Sequence, residues 1–345
     1  MIEIDGSQGE GGCQILRSAL ALSMCTGQPF ALNKIRAGRA RPGLMRQHLT
    51  CVNAATEISG AQVQGAELNS QSLQFAPGAV RAGSYAFNVA SAGSCTLVFQ
   101  TVWPALMLAE GDSRVQLKGG THNPMAPPFH FLDRSYAPLL RRLGAPVELS
   151  LQRHGFYPAG GGEFEAVIGG SRQTLQPFDL NERGSLVEQY AECLAPALPS
   201  SIARRELSKL GSMMGWQPEQ LRNAGLRQNE GPGNALLGTL AHEHVTEVFT
   251  QFGEKGVTAE AVATQLACEL RSYKASPGAL GPYLADQWVL PLALAVHLRQ
   301  QAASYTSTGL TPHALSNFEV IQRFLPLRIT TSLDAQGHKV QLTPV

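Results

Sequence analysis

Four arginines, Arg36, Arg39, Arg41 and Arg46, with His48 close behind, fall within thirteen residues of a chain whose formal net charge is only +1. All four cations are Arg rather than Lys, and a planar guanidinium suits bidentate binding of phosphate. They sit on the Gly/Pro-rich stretch from Ile35 to Leu44 and run into a helix, which predicts a phosphate site; a solvated basic face is the competing reading. A second candidate is Asp5-Gly-Ser-Gln-Gly-Glu-Gly-Gly12, placed between a strand and a helix, where free backbone N–H groups and the helix dipole favour an anion. Its glycines match neither standard nucleotide-binding spacing, so a tight turn and a phosphate cradle both remain open. Glu10 within it could cap the helix or hold a divalent cation beside phosphates. Polar, Gly- and Pro-rich loops recur at 119–128, 153–162 and 283–287. His242 and His244 share a strand face without an evident third ligand and read as surface histidines. His313, after Thr311-Pro312, stands at the start of the last helix, where helix capping is the plain reading.

The elements that must position these residues show a recurring pattern. Helices are expected at Gln14 to Cys25 and Gly43 to Ile58, and strands at Ala31 to Ile35, near Val63, Leu73 to Phe75 and Tyr85 to Val89. A second round follows, with helices at Ala92 to Leu108 and Pro128 to Leu143 and strands at Arg114 to Leu117, Val147 to Gln152 and Glu163 to Val167. A third occupies the C-terminal part: helices Ala285 to Leu298 and Ala314 to Phe324, strands Ala303 to Thr306, Leu327 to Thr331 and Lys339 to Leu342, and an opening strand before residue 180. Three copies of about eighty residues fit globular sandwich units better than short solenoid periods. Between them lie helices Arg204 to Met214 and Ala259 to Tyr273 and strands Ala235 to Leu240 and Val245 to Phe249. The expected organisation is therefore an α/β (α+β) chain with a large unit, 1–180 with 276–345, interrupted by a smaller inserted α+β domain, 181–275.

Composition narrows the function classes. With 345 residues, 43% hydrophobic and 15% charged, the chain can bury a substantial core and is not disordered. Balanced charge excludes a protein that coats duplexes nonspecifically, so any polyanion site must be local. The N-terminus lacks the basic and apolar regions of a secretory signal, and no run of eighteen apolar residues occurs, so a soluble cytoplasmic protein is expected. The six cysteines lie 12, 26, 44, 98 and 75 residues apart, which supports neither a zinc framework nor a small disulfide scaffold.

Taken together, Asp5 to Gly12, Ile35 to Leu44 with Arg46-Gln-His48, Ser91-Ala-Gly-Ser-Cys-Thr-Leu-Val-Phe-Gln100, Gly119-Gly-Thr with Asn123-Pro and Ala126-Pro-Pro128, His154-Gly-Phe-Tyr-Pro-Ala-Gly-Gly-Gly162, Gly231-Pro-Gly-Asn234, Tyr283-Leu-Ala-Asp-Gln287 and Thr311-Pro-His313 with Ser316-Asn317 and Arg323-Phe-Leu-Pro326 closely resemble the RNA 3′-terminal phosphate cyclases, in family order along almost the whole chain. The resemblance implies three βαβαββ units like those of the C-terminal domain of translation initiation factor 3, and conversion of an RNA 3′-phosphate into a 2′,3′-cyclic phosphate with ATP as co-substrate and Mg²⁺ or Mn²⁺ as metal. It assigns His313 as the nucleophile that takes AMP; Gln100, Pro127, Tyr283, Leu284, Ala285, Asp286 and Gln287 to ATP; Arg17, Arg36, Arg39, Gln47 and His48 to phosphate or RNA; and Glu10 to the metal. Two residues depart from the family pattern: Cys13, where relatives often have glycine, and His122, where bacterial relatives have aspartate. Cyclase-like proteins of ribosome assembly share the fold but lack the nucleophilic histidine, so His313 argues against a noncatalytic RNA-binding role. An enolpyruvyl transferase would share only the repeats, and shared repeats do not determine function.

Overall fold

The computed structural model describes residues 1–7 and 13–345, so Glu10 lies outside the described residues. The first unit runs β1 (Ile2–Asp5), α1 (Cys13–Thr26), β2 (Phe30–Asn33), α2 (Arg46–Ser59), β3 (Gln62–Gln64) and β4 (Leu73–Ala76). Its sheet has the order β1-β2-β4-β3, with β1 and β2 parallel and the remaining pairs antiparallel. The second unit, β5 (Ser84–Asn88), α3 (Cys95–Leu108), β6 (Ser113–Gly119), α4 (Phe129–Phe131), α5 (Ala137–Arg142), β7 (Val147–Arg153) and β8 (Gly162–Ile168), repeats that topology as β5-β6-β8-β7. The helix expected at Pro128 to Leu143 contains a π-turn at Leu132–Tyr136 between α4 and α5. Such turns often sit at functional sites.

Between the second and third units the chain forms β9 (Leu186–Leu194), α6 (Ser200–Met214), β10 (Leu221–Asn223), β11 (Ala235–His242), β12 (Thr246–Phe252) and α7 (Ala259–Ala275), with sheet order β10-β9-β11-β12. Leu207, Leu210, Leu236, Leu240, Phe249, Leu266 and Leu270 build a hydrophobic cluster separate from the main core. The third unit is α8 (Pro282–Arg299), β13 (Ala303–Ser307), α9 (Pro312–Phe324), β14 (Leu327–Asp334) and β15 (Gly337–Pro344), ordered β13-β15-β14. Its opening strand is reduced to two single bridges: Leu180 pairs parallel with Tyr305, and Leu280 pairs parallel with Ser307. The backbone bonds Leu180 N to Ser304 O, 2.9 Å, and Leu280 N to Thr306 O, 3.0 Å, set both along β13. The chain leaves this edge after Leu180 and returns to the same edge at Leu280. Among the described residues, no helix is long and apolar enough to cross a membrane.

Local sequence explains why α3 and α8 are central. Every residue of α3 except Gln100 is buried, and α8 is buried at Leu284–Asp286 and continuously over Trp288–Val296. A helix that is apolar all round is sheathed by its neighbours. Gln100, Asp286 and Gln287, polar side chains set within these apolar helices, must therefore meet either one another or a polar opening.

Candidate active site

They do both. The side-chain Nε2 of Gln100 donates to Oε1 of Gln287 at 2.8 Å, joining α3 to α8 across 187 residues of sequence. Around this bond Gln14, Arg17 and Ser18 of α1, Tyr136 of the π-turn, Asp286 and Leu290 of α8, and Asn317 of α9 line a narrow cleft open to solvent. The first helices of all three units thus converge on it. Each of the two glutamines is followed four residues later by a helix-interior proline, Pro104 and Pro291. Proline has no N–H to offer the residue four places earlier, so the carbonyls of Gln100 and Gln287 lose their helical donors beside the cleft. Oε1 of Gln100 is buried and has no hydrogen-bond partner among the described residues. A buried, unsatisfied acceptor costs about 1–3 kcal/mol, which a ligand N–H or O–H would relieve. The site therefore has room in its hydrogen bonding for a donor.

The start of α9 is tied to the same cleft. Thr311 is its N-cap: Oγ1 accepts from Ala314 N at 3.1 Å and donates to Oδ2 of the buried Asp286 at 2.7 Å. Nδ2 of Asn317 donates to the Asp286 carbonyl at 3.3 Å, and Oγ of Ser18 donates to Oδ1 of Asn317 at 2.7 Å, closing a chain α8–α9–α1. His313, half-buried in the first turn of α9, lies two residues beyond Thr311. A helix N-terminus carries partial positive charge and unpaired N–H groups, a setting that draws a phosphate toward the imidazole.

The arginine-rich segment forms a closed loop between β2 and α2. Nη1 of Arg36 donates to the carbonyls of Arg41, 2.7 Å, and Gly43, 3.0 Å, so part of its capacity shapes the loop itself. Gly43 has φ of +82°, and a side chain there would run into the backbone of Asn69. Arg39 and Arg41 are exposed. His48 is buried and its Nδ1 accepts from Met45 N at 3.0 Å, capping α2. Burial pushes its pKa down to about 3, with the nearby Arg17 and Arg36 charges adding to the shift, so His48 is a neutral cap, not a cation. Gln47 accepts from Ser94 N at 2.9 Å and thereby joins α2 to the start of α3. The Pro127 carbonyl accepts from Oγ1 of Thr96 in the first turn of α3 at 2.8 Å.

Of the residues singled out in the sequence, then, Arg17, Gln100, Asp286 and Gln287 line one cleft, and His313 is linked to it through Thr311. Tyr283 is exposed at the first turn of α8, while Leu284 and Ala285 are fully buried in the core. Gln14, Ser18, Tyr136 and Asn317 complete the cleft without having been assigned to it from sequence. For Asn317 a signal existed, its place in the Ser316-Asn317 motif; a polar residue on the largely buried α1 or a tyrosine in an apolar run carries none.

The segment between the second and third units is hydrogen-bonded to the start of α8. Oε1 of Glu247, on β12, accepts from Gly281 N, the N-cap of α8, at 2.5 Å. Complete burial raises the Glu247 carboxyl from an ordinary 4.5 to about 8. A group whose folded pKa is raised contributes stability that is complete below the unfolded value and lost as pH rises through the folded one. Thermal melts of the wild type should accordingly carry a decline that runs from about pH 4.5 to about 8 and levels off above it, while Glu247→Gln lacks this contribution. Parallel curves for the two proteins would rule out this ionisation.

Three βαβαββ-type sheets that turn their first helices toward a shared polar cleft place the chain among the repeat-built mixed α/β proteins. The sequence profile of the RNA 3′-terminal phosphate cyclase family matches residues 8–331. The chain is 50% identical over 341 residues to an RNA 3′-terminal phosphate cyclase of Ralstonia nicotianae, covering 99% of this chain and 96% of that protein. It is 49% identical over 344 residues to proteins of the same name from Salmonella enteritidis and Salmonella typhimurium, covering 99% of both partners in each case. This chain belongs to the RNA 3′-terminal phosphate cyclase family.

Proposed function

We propose that the chain converts an RNA 3′-terminal phosphate to a 2′,3′-cyclic phosphodiester at the expense of ATP, in the cytoplasm, through AMP carried on His313. The observation that carries this reading is the Thr311–Asp286 hydrogen bond, which fixes the first turn of α9, and His313 with it, beside the cleft lined by Gln100, Gln287 and Arg17. Relatives that match nearly end to end bear the name of this activity. A phosphate monoester is a poor electrophile because its oxygens repel a nucleophile and none leaves readily. Attack of a neutral His313 nitrogen on the α-phosphorus of ATP forms a P–N bond and breaks the bond to pyrophosphate. The RNA 3′-phosphate oxygen then attacks the same phosphorus, frees the imidazole and forms a 3′-phosphoanhydride with AMP. Finally the 2′-oxygen attacks the terminal RNA phosphorus, loses its proton and expels AMP. One hard displacement becomes three easier ones.

Within this reading Gln100 and Gln287 hold the nucleoside, Arg17 and the 36–46 arginines neutralise phosphate charge, and Pro127 and Tyr283 border the nucleotide. Asp286 is the carboxylate among the described cleft residues, a hard oxygen donor of the kind that Mg²⁺ or Mn²⁺ prefers, and Glu10 is the second candidate. Such an ion, when bound, offsets the charge on the transferring phosphate. Residues 1–180 with 276–345 form the catalytic unit and 181–275 an inserted one.

The test uses a 3′-phosphorylated oligoribonucleotide and its terminal 2′-deoxy counterpart. With ATP, the first should become phosphatase-resistant and cyclic, while the second should halt as a 3′-adenylylated end. Cyclic product from the ribonucleotide without ATP, or absence of the arrested intermediate, would contradict the route. In the same assay Arg39→Ala should slow either AMP transfer or its capture by RNA, with a shallower salt dependence because one phosphate contact is gone.

A further inference from the structure

Three histidines outside the cleft face one another around a single point. His122 follows β6, His130 lies in α4 and His154 directly follows β7. One ring nitrogen from each lies within 4.8 Å of the other two. Nε2 of His122 stands 2.8 Å from Nδ1 of His130, and the His122 and His154 rings have centroids 5.2 Å apart. His122 is fully buried, and the other two are half-buried.

We propose that His122, His130 and His154 form a binding site for a zinc-class divalent cation, separate from the metal of the ATP reaction and independent of the function proposed above.

Their outer hydrogen bonds support it. Nδ1 of His154 is 2.7 Å from Oε2 of Glu230, and Nδ1 of His122 is 2.9 Å from Oγ1 of Thr121, which is held in turn by Gly155 N at 2.9 Å. A carboxylate or hydroxyl on one ring nitrogen fixes the tautomer and leaves the other nitrogen's lone pair for a metal. In this arrangement His122 and His154 offer Nε2 and His130 offers Nδ1. Without an ion the His122–His130 contact is an N–H to N hydrogen bond donated by Nδ1 of His130, and ligation by that nitrogen requires its proton to shift to Nε2. With Zn–N bonds of about 2.0–2.1 Å and tetrahedral angles the two nitrogens must stand about 3.3 Å apart, so the pair needs to open by about half an ångström. Three imidazoles suit Zn²⁺ and neighbouring transition ions and discriminate against Mg²⁺, which prefers oxygen. Arg134 adds an opposing positive charge, but its guanidinium is engaged by Glu192.

The placement gives the ion a structural task. His122 and His130 bracket the loop that carries Pro127, and Glu230 belongs to the segment between the second and third units. A bound cation would pin both ends of that loop to the end of β7 and, through Glu230, to the intervening segment.

The full-length protein, stripped with a chelator and free of nucleotide, should be titrated with ZnCl₂, CoCl₂ or MgCl₂. Expected are one Zn²⁺ per chain, a rise in melting temperature with Zn²⁺ but not Mg²⁺, and the intense visible absorption of low-coordinate Co²⁺. Affinity should fall at least about 100-fold in His154→Gln or His130→Gln and about 10-fold in Glu230→Gln, where only the outer partner changes. Because a substitution at these positions can loosen the fold, each variant is compared by circular dichroism, and Glu230→Gln, which leaves all three rings in place, is the fallback. Absence of stoichiometric Zn²⁺ binding, or binding of equal affinity by folded His130→Gln and His154→Gln proteins, overturns the proposal. So does a Mg²⁺ effect equal to that of Zn²⁺.

Discussion

His313→Ala should yield a folded protein that takes up no AMP from ATP and makes no cyclic phosphate, a loss of at least about 10⁴-fold in cyclisation, since removing a nucleophile leaves only binding and electrostatics. The fold should be spared because the side chain is half-buried in a first turn whose cap, Thr311 to Ala314, it does not form. Stability within about 0.5 kcal/mol of wild type is expected for such a position. His313→Asn should be equally inactive, because an amide can accept hydrogen bonds but cannot carry AMP. If either variant retains a normal covalent adduct, the nucleophile lies elsewhere.

Asp286 should show the second largest effect, and two substitutions separate its roles. Its Oδ2 accepts from the Thr311 hydroxyl that caps α9, so Asp286→Ala removes both the charge in the cleft and the partner that orients the cap. Adenylylation is expected to fall by about 10²–10³-fold, the scale of losing a preorganised electrostatic group. Asp286→Asn keeps an oxygen for Thr311 and removes only the charge. If the carboxylate serves a metal beside the phosphates, Asn should be nearly as damaging as Ala, and raising Mg²⁺ or Mn²⁺ should rescue neither. If its task is only to hold Thr311, Asn should restore most of the activity. Asn at the wild-type rate across a metal titration would remove the charge from the mechanism.

How much of this could be seen in the sequence differs by element. The helices and most strands of the three units follow from apolar periodicity, and the arginine loop stands out because Arg, Gly and Pro cluster in a nearly neutral chain. β9 did not stand out: Leu186–Leu194 buries only its C-terminal half, so no clean alternation runs along it. β10, three residues long, is set by pairing with β9 and has no pattern of its own. The π-turn at Leu132–Tyr136 preserves a helical apolar pattern and is invisible to periodicity. The cleft is a product of tertiary structure. Gln14, Gln100, Gln287 and Asn317 come from four helices in three units, and periodicity reports which face of a helix is buried, not which helices meet. One sign was available, a lone polar residue in an otherwise apolar run, as at Gln100. The role of His48 reads differently in the folded chain because its neighbours in space, the Met45 amide and the two arginines, turn an apparent cation into a neutral cap.

The central claim is that AMP passes through a covalent bond to His313, and peptide mapping tests it directly. Wild-type protein incubated with ATP and Mg²⁺ in the absence of RNA should be digested under alkaline conditions, which preserve a phosphoramidate, and sequenced by mass spectrometry. The account predicts one added AMP, located on His313, lost on mild acid treatment and discharged by a 3′-phosphorylated RNA. AMP located on any other residue, or cyclisation at full rate with no adduct formed at all, would contradict it.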